Sequence, residues 1–349
     1  MGSFGRVRPT RLMVSCTLLL ALFGPWRVLA LTDSPQAQAA LDNAQATWDR
    51  EENDKALQLF EGVVNDFPDT EQGTMALAMV GLWWKEAGDK AKALETWNSI
   101  VWQYPGSVGN AEAWALMGGT AEQDGDYPNA VAYWRRVVTN FPGTWQEARA
   151  RFWRAGVQCR ARERYQEAIA DYERVLVVAP DDPMAVQSKL LIGANYLWLH
   201  EPGTALGCYD RVVSEHAGTQ EAVEALYYRG YCKAVTADPA GAVGDLTEAA
   251  RTASDPGIAV RALHVLANCQ ARLGRYDEAR ATLQEVLADS SPAFRLFHPS
   301  TLYFIGHTYF AQGRYAEAEQ WLRRVLTEYP GDICAPDAQE LLGRVAGRR

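Results

Sequence analysis

Residues 114–142 read WALMGGTAEQDGDYPNAVAYWRRVVTNFP. Two helices and the turn between them are spelled out in this stretch. Ala130, Trp134, Val137 and Val138 fall at i, i+4, i+7 and i+8, which is one face of a helix. Upstream, Trp114, Met117, Gly118 and Ala121 share one face of another helix. Gly125 stands between them, where glycine can take the left-handed conformation that ends a helix. Pro142 stops the second helix. The stretch predicts a helical hairpin with its apolar stripes turned inward.

The same pattern recurs along most of the chain. The alanine of the second helix reappears at Ala56, Ala93, Ala130, Ala168, Ala205, Ala242, Ala279 and Ala318, at steps of 37, 37, 38, 37, 37, 37 and 39. Twelve residues before each comes a small residue: Ala44, Gly81, Gly118, Gly156, Gly193, Gly230, Ala267 and Gly306. A bulky residue follows sixteen after the small one, from Phe60, Trp97 and Trp134 through Tyr172 and Tyr209 to Leu246, Leu283 and Leu322. Close crossing of two helices explains the small residues, and predicts Gly193 and Ala205 as contact points. Pro68, Pro105, Pro142, Pro180 and Pro330 end second helices. Thr70, Ser107, Thr144, Asp182, Thr219 and Asp332 stand two residues on as N-caps. Thr144 and Glu147 have capping-box spacing. Ser254 and Ser291 occupy the proline place in units six and seven, so those ends are less sharply marked.

A period of this kind signals a repeat architecture. The order small, aromatic, alanine, bulky, proline resembles the tetratricopeptide repeat, and the resemblance covers about residues 35–332. It implies an all-α, TPR-like α-solenoid, a right-handed superhelix of about eight helical hairpins. A final helix over Ala335–Ala346, with Gln339, Glu340 and Arg344 outward, would cap the last unit within residues 333–349. The units are slightly longer than is usual for the family. That longer form resembles the bacterial cell-envelope type found in outer-membrane assembly and the Tol-Pal system.

The resemblance also implies a binding face. The first helices line the concave side, at positions three before, one after and four after the small residue. Carried onto this chain, these positions give Leu41, Gln45 and Trp48 in unit one, and Trp153, Val157 and Arg160 in unit four. Units six to eight supply Tyr227 and Tyr231, then His264 and Asn268, then Tyr303, His307 and Phe310. Exposed aromatics interspersed with arginine are the material of binding hot spots. Packing against the neighbouring hairpin is the competing reading of the same rings. Trp84, Trp97, Trp114 and Trp134 fall at core offsets instead, and sugar stacking by Trp83, Trp102 and Trp145 lacks a shared line.

Residues 1–30 differ from the rest. Arg6, Arg8 and Arg11 precede a nearly unbroken apolar run to Trp26, and Val28-Leu29-Ala30 offers a cleavage point. This is the pattern of a secretory signal peptide, with an uncleaved anchor as the alternative. Cys16 sits too early in the run for a lipoprotein signal. The net charge is −9, and removal of residues 1–30 leaves 30 basic against 43 acidic residues. That balance disfavours nucleic acid and anionic lipid as partners. Cys159, Cys208, Cys232, Cys269 and Cys334 remain, odd in number and without CxxC spacing, so neither a disulfide framework nor a zinc site is written. Cys232 and Cys269 share one repeat position and read as small core residues.

No phosphate-binding loop, nucleophile elbow, HExxH or calcium loop is present. His264 and His307 recur on the inward face, but a metal needs more ligands than two. The expectation is therefore a non-catalytic scaffold, with no cofactor, metal or catalytic residue, that binds proteins or peptides. It is exported to the periplasm or outer envelope, where it serves envelope assembly or maintenance, and membrane contact is confined to an uncleaved N-terminal segment. The alternatives are a glycan- or peptidoglycan-binding accessory of an envelope enzyme or transport system, and a hydrolase with a site assembled across distant units.

Overall fold

A computed structural model of the chain describes residues 31–348. The signal-peptide reading of residues 1–30 lies outside the described residues. Two compact units divide the chain at Met117/Gly118. The first contains α1 (Pro35–Trp48), α2 (Asn53–Asp66), α3 (Glu71–Glu86), α4 (Lys90–Gln103) and the beginning of α5 (Val108–Gln123). The second continues from α5 through α6 (Tyr127–Asn140), α7 (Trp145–Arg162), α8 (Tyr165–Val178), α9 (Pro183–Trp198) and α10 (Pro202–Glu215). Then come α11 (Gln220–Val235), α12 (Pro239–Thr252), α13 (Pro256–Arg272), α14 (Tyr276–Ala288) and the one-turn α15 (Pro292–Arg295). The series ends with α16 (His298–Ala311), α17 (Tyr315–Glu328) and α18 (Ala335–Ala346). Among the described residues the architecture is all-α, a repeated first helix–second helix pair, with one isolated bridge between Thr32 and Thr70.

Each second helix buries the same three positions. Ala130, Trp134 and Val137 in α6 are 1% exposed or less, and so are Ala205, Tyr209 and Val212 in α10. Ala242, Leu246 and Ala249 in α12 are fully buried too. Burying these side chains is the main favourable term in forming each hairpin. In unit 1, Phe60 and Val63 join Met79 and Val80 in one cluster.

The small residue serves the bulky one more than it serves the alanine. A Cβ built on Gly81 would sit 2.3 Å from Trp97 Nε1, and one on Gly118 would sit 2.5 Å from Trp134 Nε1. For Gly193 the nearest atom is Tyr209 Cζ at 2.7 Å, and for Gly230 it is Leu246 Cγ at 2.7 Å. At the expected Gly193 contact point the glycine opens a slot for the side chain sixteen residues on, and at Gly306 a Cβ would also meet the Ala318 carbonyl at 3.4 Å. Trp97 even donates its Nε1–H to the Ala78 carbonyl at 3.0 Å. Gly156 departs from the pattern, with the Tyr172 hydroxyl at 3.8 Å and Arg160 Nη2 at 3.9 Å as the nearest atoms.

Caps follow the sequence with two adjustments. Thr70, Ser107, Thr144, Asp182 and Thr219 accept from backbone amides in the first turns of their helices. Glu147 Oε2 accepts from the Gly143 amide at 2.6 Å, one residue before the Thr144 cap. Asp332 accepts from the Cys334 amide, while α18 begins at Ala335. The long junction after α14 winds into α15, which the sequence left as an ill-defined end. Ser291 caps it, and Leu296 beyond it is 78% exposed. At the C-terminus α18 lays Ala338, Leu341 and Val345 on Leu322 and Val325, and leaves Gln339, Glu340 and Arg344 exposed.

The turn inside each hairpin needs a left-handed residue. Gly88, Gly125, Gly274 and Gly313 supply it with φ between 76° and 89°. Four other turns place Glu51, Glu163, His200 and Ala237 there instead. Ala237, at φ 70°, is exposed and contributes nothing to the core. Ala237→Gly is expected to raise stability by about 1 kcal/mol, since an L side chain pays for this conformation and glycine does not. A urea midpoint unchanged or lowered by this substitution would contradict that strain.

Candidate partner-binding face

Within unit 2, first helices lie beside first helices. α7 contacts α9, α9 contacts α11, α11 contacts α13, and α13 contacts α16. The large rings Trp134, Tyr172 and Tyr209 are buried on the second helices, whereas Trp153 and Tyr231 on the first helices are exposed.

The expected face residues divide into three groups. Trp153 in α7 is 47% exposed, with its ring edge-on to Phe152 at 5.5 Å. Arg160 is exposed and forms an ion pair with Glu122. Tyr231 is 37% exposed, and Asn268 is exposed as well. These four are open to a partner. Tyr303, His307 and Phe310 in α16 are half-buried. Phe310 packs with Tyr315 and lies under the Arg344 guanidinium, so its ring is largely committed to the capping helix. In unit 1, half-buried Trp48 packs against Phe60 at 6.4 Å.

Tyr227 and His264 correct the expectation of an open inward residue: they are 8% and 9% exposed. Tyr227 is wedged against Tyr228, with Arg261 over its ring at 5.5 Å. Burial pushes its hydroxyl up to about 12. His264 is covered by Phe304, ring centroids 4.8 Å apart. The repeat offset places both side chains toward the face, but the next first helix closes over each, with Arg261 above Tyr227 and Phe304 against His264.

His264 and His307 still meet at a shared cleft of about 220 Å³ between α13 and α16, with Asn268, Arg272 and Tyr276 on its walls. His264 Nε2 lies 2.9 Å from Thr301 Oγ1, whose own proton goes to the Phe297 carbonyl at 2.7 Å. The imidazole therefore donates through Nε2. Burial lowers His264 to about 4, and burial with the Arg344 charge lowers His307. An unfolded chain takes up a proton at His264 near pH 6.5, whereas the folded chain refuses it until about pH 4. Stability present at neutral pH is therefore lost as pH falls through this window. The expected loss from His264 alone is about 2 kcal/mol at pH 5, relative to pH 8. Chemical unfolding of the wild type and His264→Gln across pH 5–8 checks it: superimposable pH slopes would contradict the assignment.

A second, wider cleft of about 410 Å³ lies between the first halves of α9, α11 and α13. Glu224 and Arg261 stand on it, and neither was singled out from the sequence. The signal was available: Gln187, Glu224 and Arg261 all stand six residues before the small residue of consecutive units.

A charge network joins α7 to α8. Asp171, 3% exposed, accepts from Arg151 Nη1 and Arg154 Nε at 2.7 Å each. Glu147, 1% exposed, accepts from Arg151 Nε at 2.7 Å and Arg174 Nε at 3.3 Å. The gain from the amide and arginine bonds outweighs burial and holds the Glu147 carboxyl below its ordinary value. Reading second-helix charges as a solvated face fits Arg135, Arg136, Arg323 and Arg324, which are exposed. It fails for Asp171, Asp245 and Arg280, which are buried. The five described cysteines are free thiols, with Cys232 and Cys269 fully buried. Among the described residues no three metal-ligating side chains converge, and no helix is long and apolar enough to cross a membrane.

Three family models, each described as tetratricopeptide repeat, match residues 76–107, 116–183 and 258–329. The chain carries tetratricopeptide repeats. Trp153 and Asn268 fall within the matched segments. No curated protein sequence matches the chain. Among solved structures, the apo form of RapI has a TM-score of 0.63 at 12% identity, covering 90% of this chain and 98% of its own. PilW, described as a widely conserved type IV pilus biogenesis factor, has a TM-score of 0.52 at 14% identity, covering 66% of this chain and 98% of its own. The APC/C hetero-tetramer Cut9-Hcn1 has a TM-score of 0.50 at 17% identity, covering 88% of this chain, which spans 55% of that one. At such identities the likeness is one of fold: a tetratricopeptide-like solenoid.

Proposed function

We propose that this chain is a non-catalytic, exported scaffold that binds protein or peptide partners on the first-helix face of its repeats, in envelope assembly or maintenance. One observation carries the binding reading. Trp153, Tyr231 and Asn268 stay at the surface of the first helices, while Trp134, Tyr172 and Tyr209 of the second helices are buried in the hairpins. Solenoids present such surfaces to extended or helical segments of other proteins. The export reading rests on the basic, apolar and small-residue order of residues 1–30, and the envelope assignment rests on the lengthened repeat behind that segment.

The test is affinity capture from native envelope extract with the mature chain and with Trp153→Ala/Tyr231→Ala. The wild type is expected to retain a defined set of proteins that the double variant loses, with the helical circular dichroism and melting temperature of the two unchanged. Equal capture by both moves the binding surface elsewhere. Cosedimentation with purified peptidoglycan, in place of protein capture, would favour the glycan-binding accessory. Mass spectrometry of the processed N-terminus from fractionated cells tests export.

A further inference from the structure

The cleft between α9, α11 and α13 has an apolar floor, formed by Leu190, Leu191, Val223 and Ile258, and a charged rim. Most of the rim has work within the fold. Asp255 caps α13 through the Gly257 amide at 2.8 Å. Gln220 Oε1 accepts from both the amide and the hydroxyl of Ser254. Glu221 lies in the first turn of α11, where a carboxylate complements the helix dipole. Arg261 donates from Nε to the Gly257 carbonyl and lies over the Tyr227 ring.

Glu224 is the exception. It stands beyond the first turn, so it caps nothing, and it forms no hydrogen bond or ion pair among the described residues. It is half-buried, and Arg261 reaches it only through space. Burial raises its carboxyl above the ordinary range. A carboxylate without a direct partner, at the edge of an apolar-floored cleft, lacks the counter-charge that such burial calls for. The rim as a whole carries three acids, Glu221, Glu224 and Asp255, against the one base Arg261.

We propose that this cleft seats a cationic side chain, a lysine or arginine of a partner segment, with its aliphatic stem on Leu190 and Ile258 and its charged head on Glu224. Long basic side chains divide in this way between apolar surface and a polar end. The proposal rests on the protein-binding reading above and adds the chemistry of what is bound. The cleft is wider than one side chain needs, so the residues flanking the cation enter as well.

Three fluorescent heptapeptide pools test it, each acetylated and amidated, with a central lysine, norleucine or glutamate and flanks drawn from Gly, Ser, Ala, Leu and Tyr. Binding to the whole mature chain is read by fluorescence polarisation. The lysine pool is expected to bind about tenfold more tightly than the glutamate pool, the order that charge complementarity at one contact gives. The acidic chain attracts any cation, so the deciding arm is Glu224→Gln. This near-isosteric change should bring the pools within about twofold of each other without lowering the melting temperature. Glu224→Lys should reverse the order. Pools that bind alike, an order that survives Glu224→Gln, or no binding by any pool overturns the cationic seat. Partner capture that still depends on Trp153 and Tyr231 would then leave the first-helix binding face standing, whereas capture independent of them moves the binding surface elsewhere and removes that face as well.

Discussion

Gly193→Leu is expected to destabilise unit 2 by about 3 kcal/mol or more, the upper range for forcing bulk into a filled interior. The first atom of the new side chain already lands 2.7 Å from Tyr209 Cζ and 2.8 Å from Tyr209 Cε1. Tyr209 is fully buried and stacked on Tyr228 at 5.3 Å, so its ring has nowhere to turn. Relief requires α9 and α10 to part, which exposes Ala205 and Val212 as well. Gly156→Ala is the control, because a Cβ there meets nothing nearer than 3.8 Å. Urea unfolding should show a large loss for the first and little change for the second. Equal effects would mean that the slot for the bulky side chain does not exist.

Asp171→Ala should cost about 3 kcal/mol, comparable to breaking one partner from a buried ion pair. The carboxylate is shared by Arg151 and Arg154, whose side chains are 21% and 13% exposed. Removing it leaves Arg151 with Glu147 as its remaining partner and strands Arg154 with none among the described residues. The loss comes chiefly from stranded charge, so Asp171→Ala combined with Arg154→Met should recover much of it. A double variant no more stable than Asp171→Ala would show that the pair's value lies in attraction alone.

Several features were legible in the residues because they repeat. Gly81, Gly193 and Gly306 with Trp97, Tyr209 and Leu322 mark hairpins at fixed offsets, and the helices fall where those offsets put them. What the offset could not give is what a neighbouring unit does. Tyr227 and His264 sit at open positions of the repeat, but Arg261 and Phe304 of the next units close over them. Phe310 depends likewise on Arg344 of α18. Asp171 is buried by arginines from α7 at non-periodic places, so a pattern of one helix cannot show it. α15 fills a junction with no counterpart in the other units. The cleft beside Glu224 needs three helices at once, although the recurrence of Gln187, Glu224 and Arg261 marked its wall.

Site-directed photocrosslinking in native cells puts the binding face to the most direct test. A benzophenone side chain placed at Tyr231 or Asn268 on the first helices should join the chain to a partner protein. The same group at Arg135 or Arg323 on the second helices, both exposed, should yield none. Crosslinks from Arg135 and Arg323, with positions 231 and 268 silent, would contradict the claim that the first-helix face is where this scaffold holds its partners.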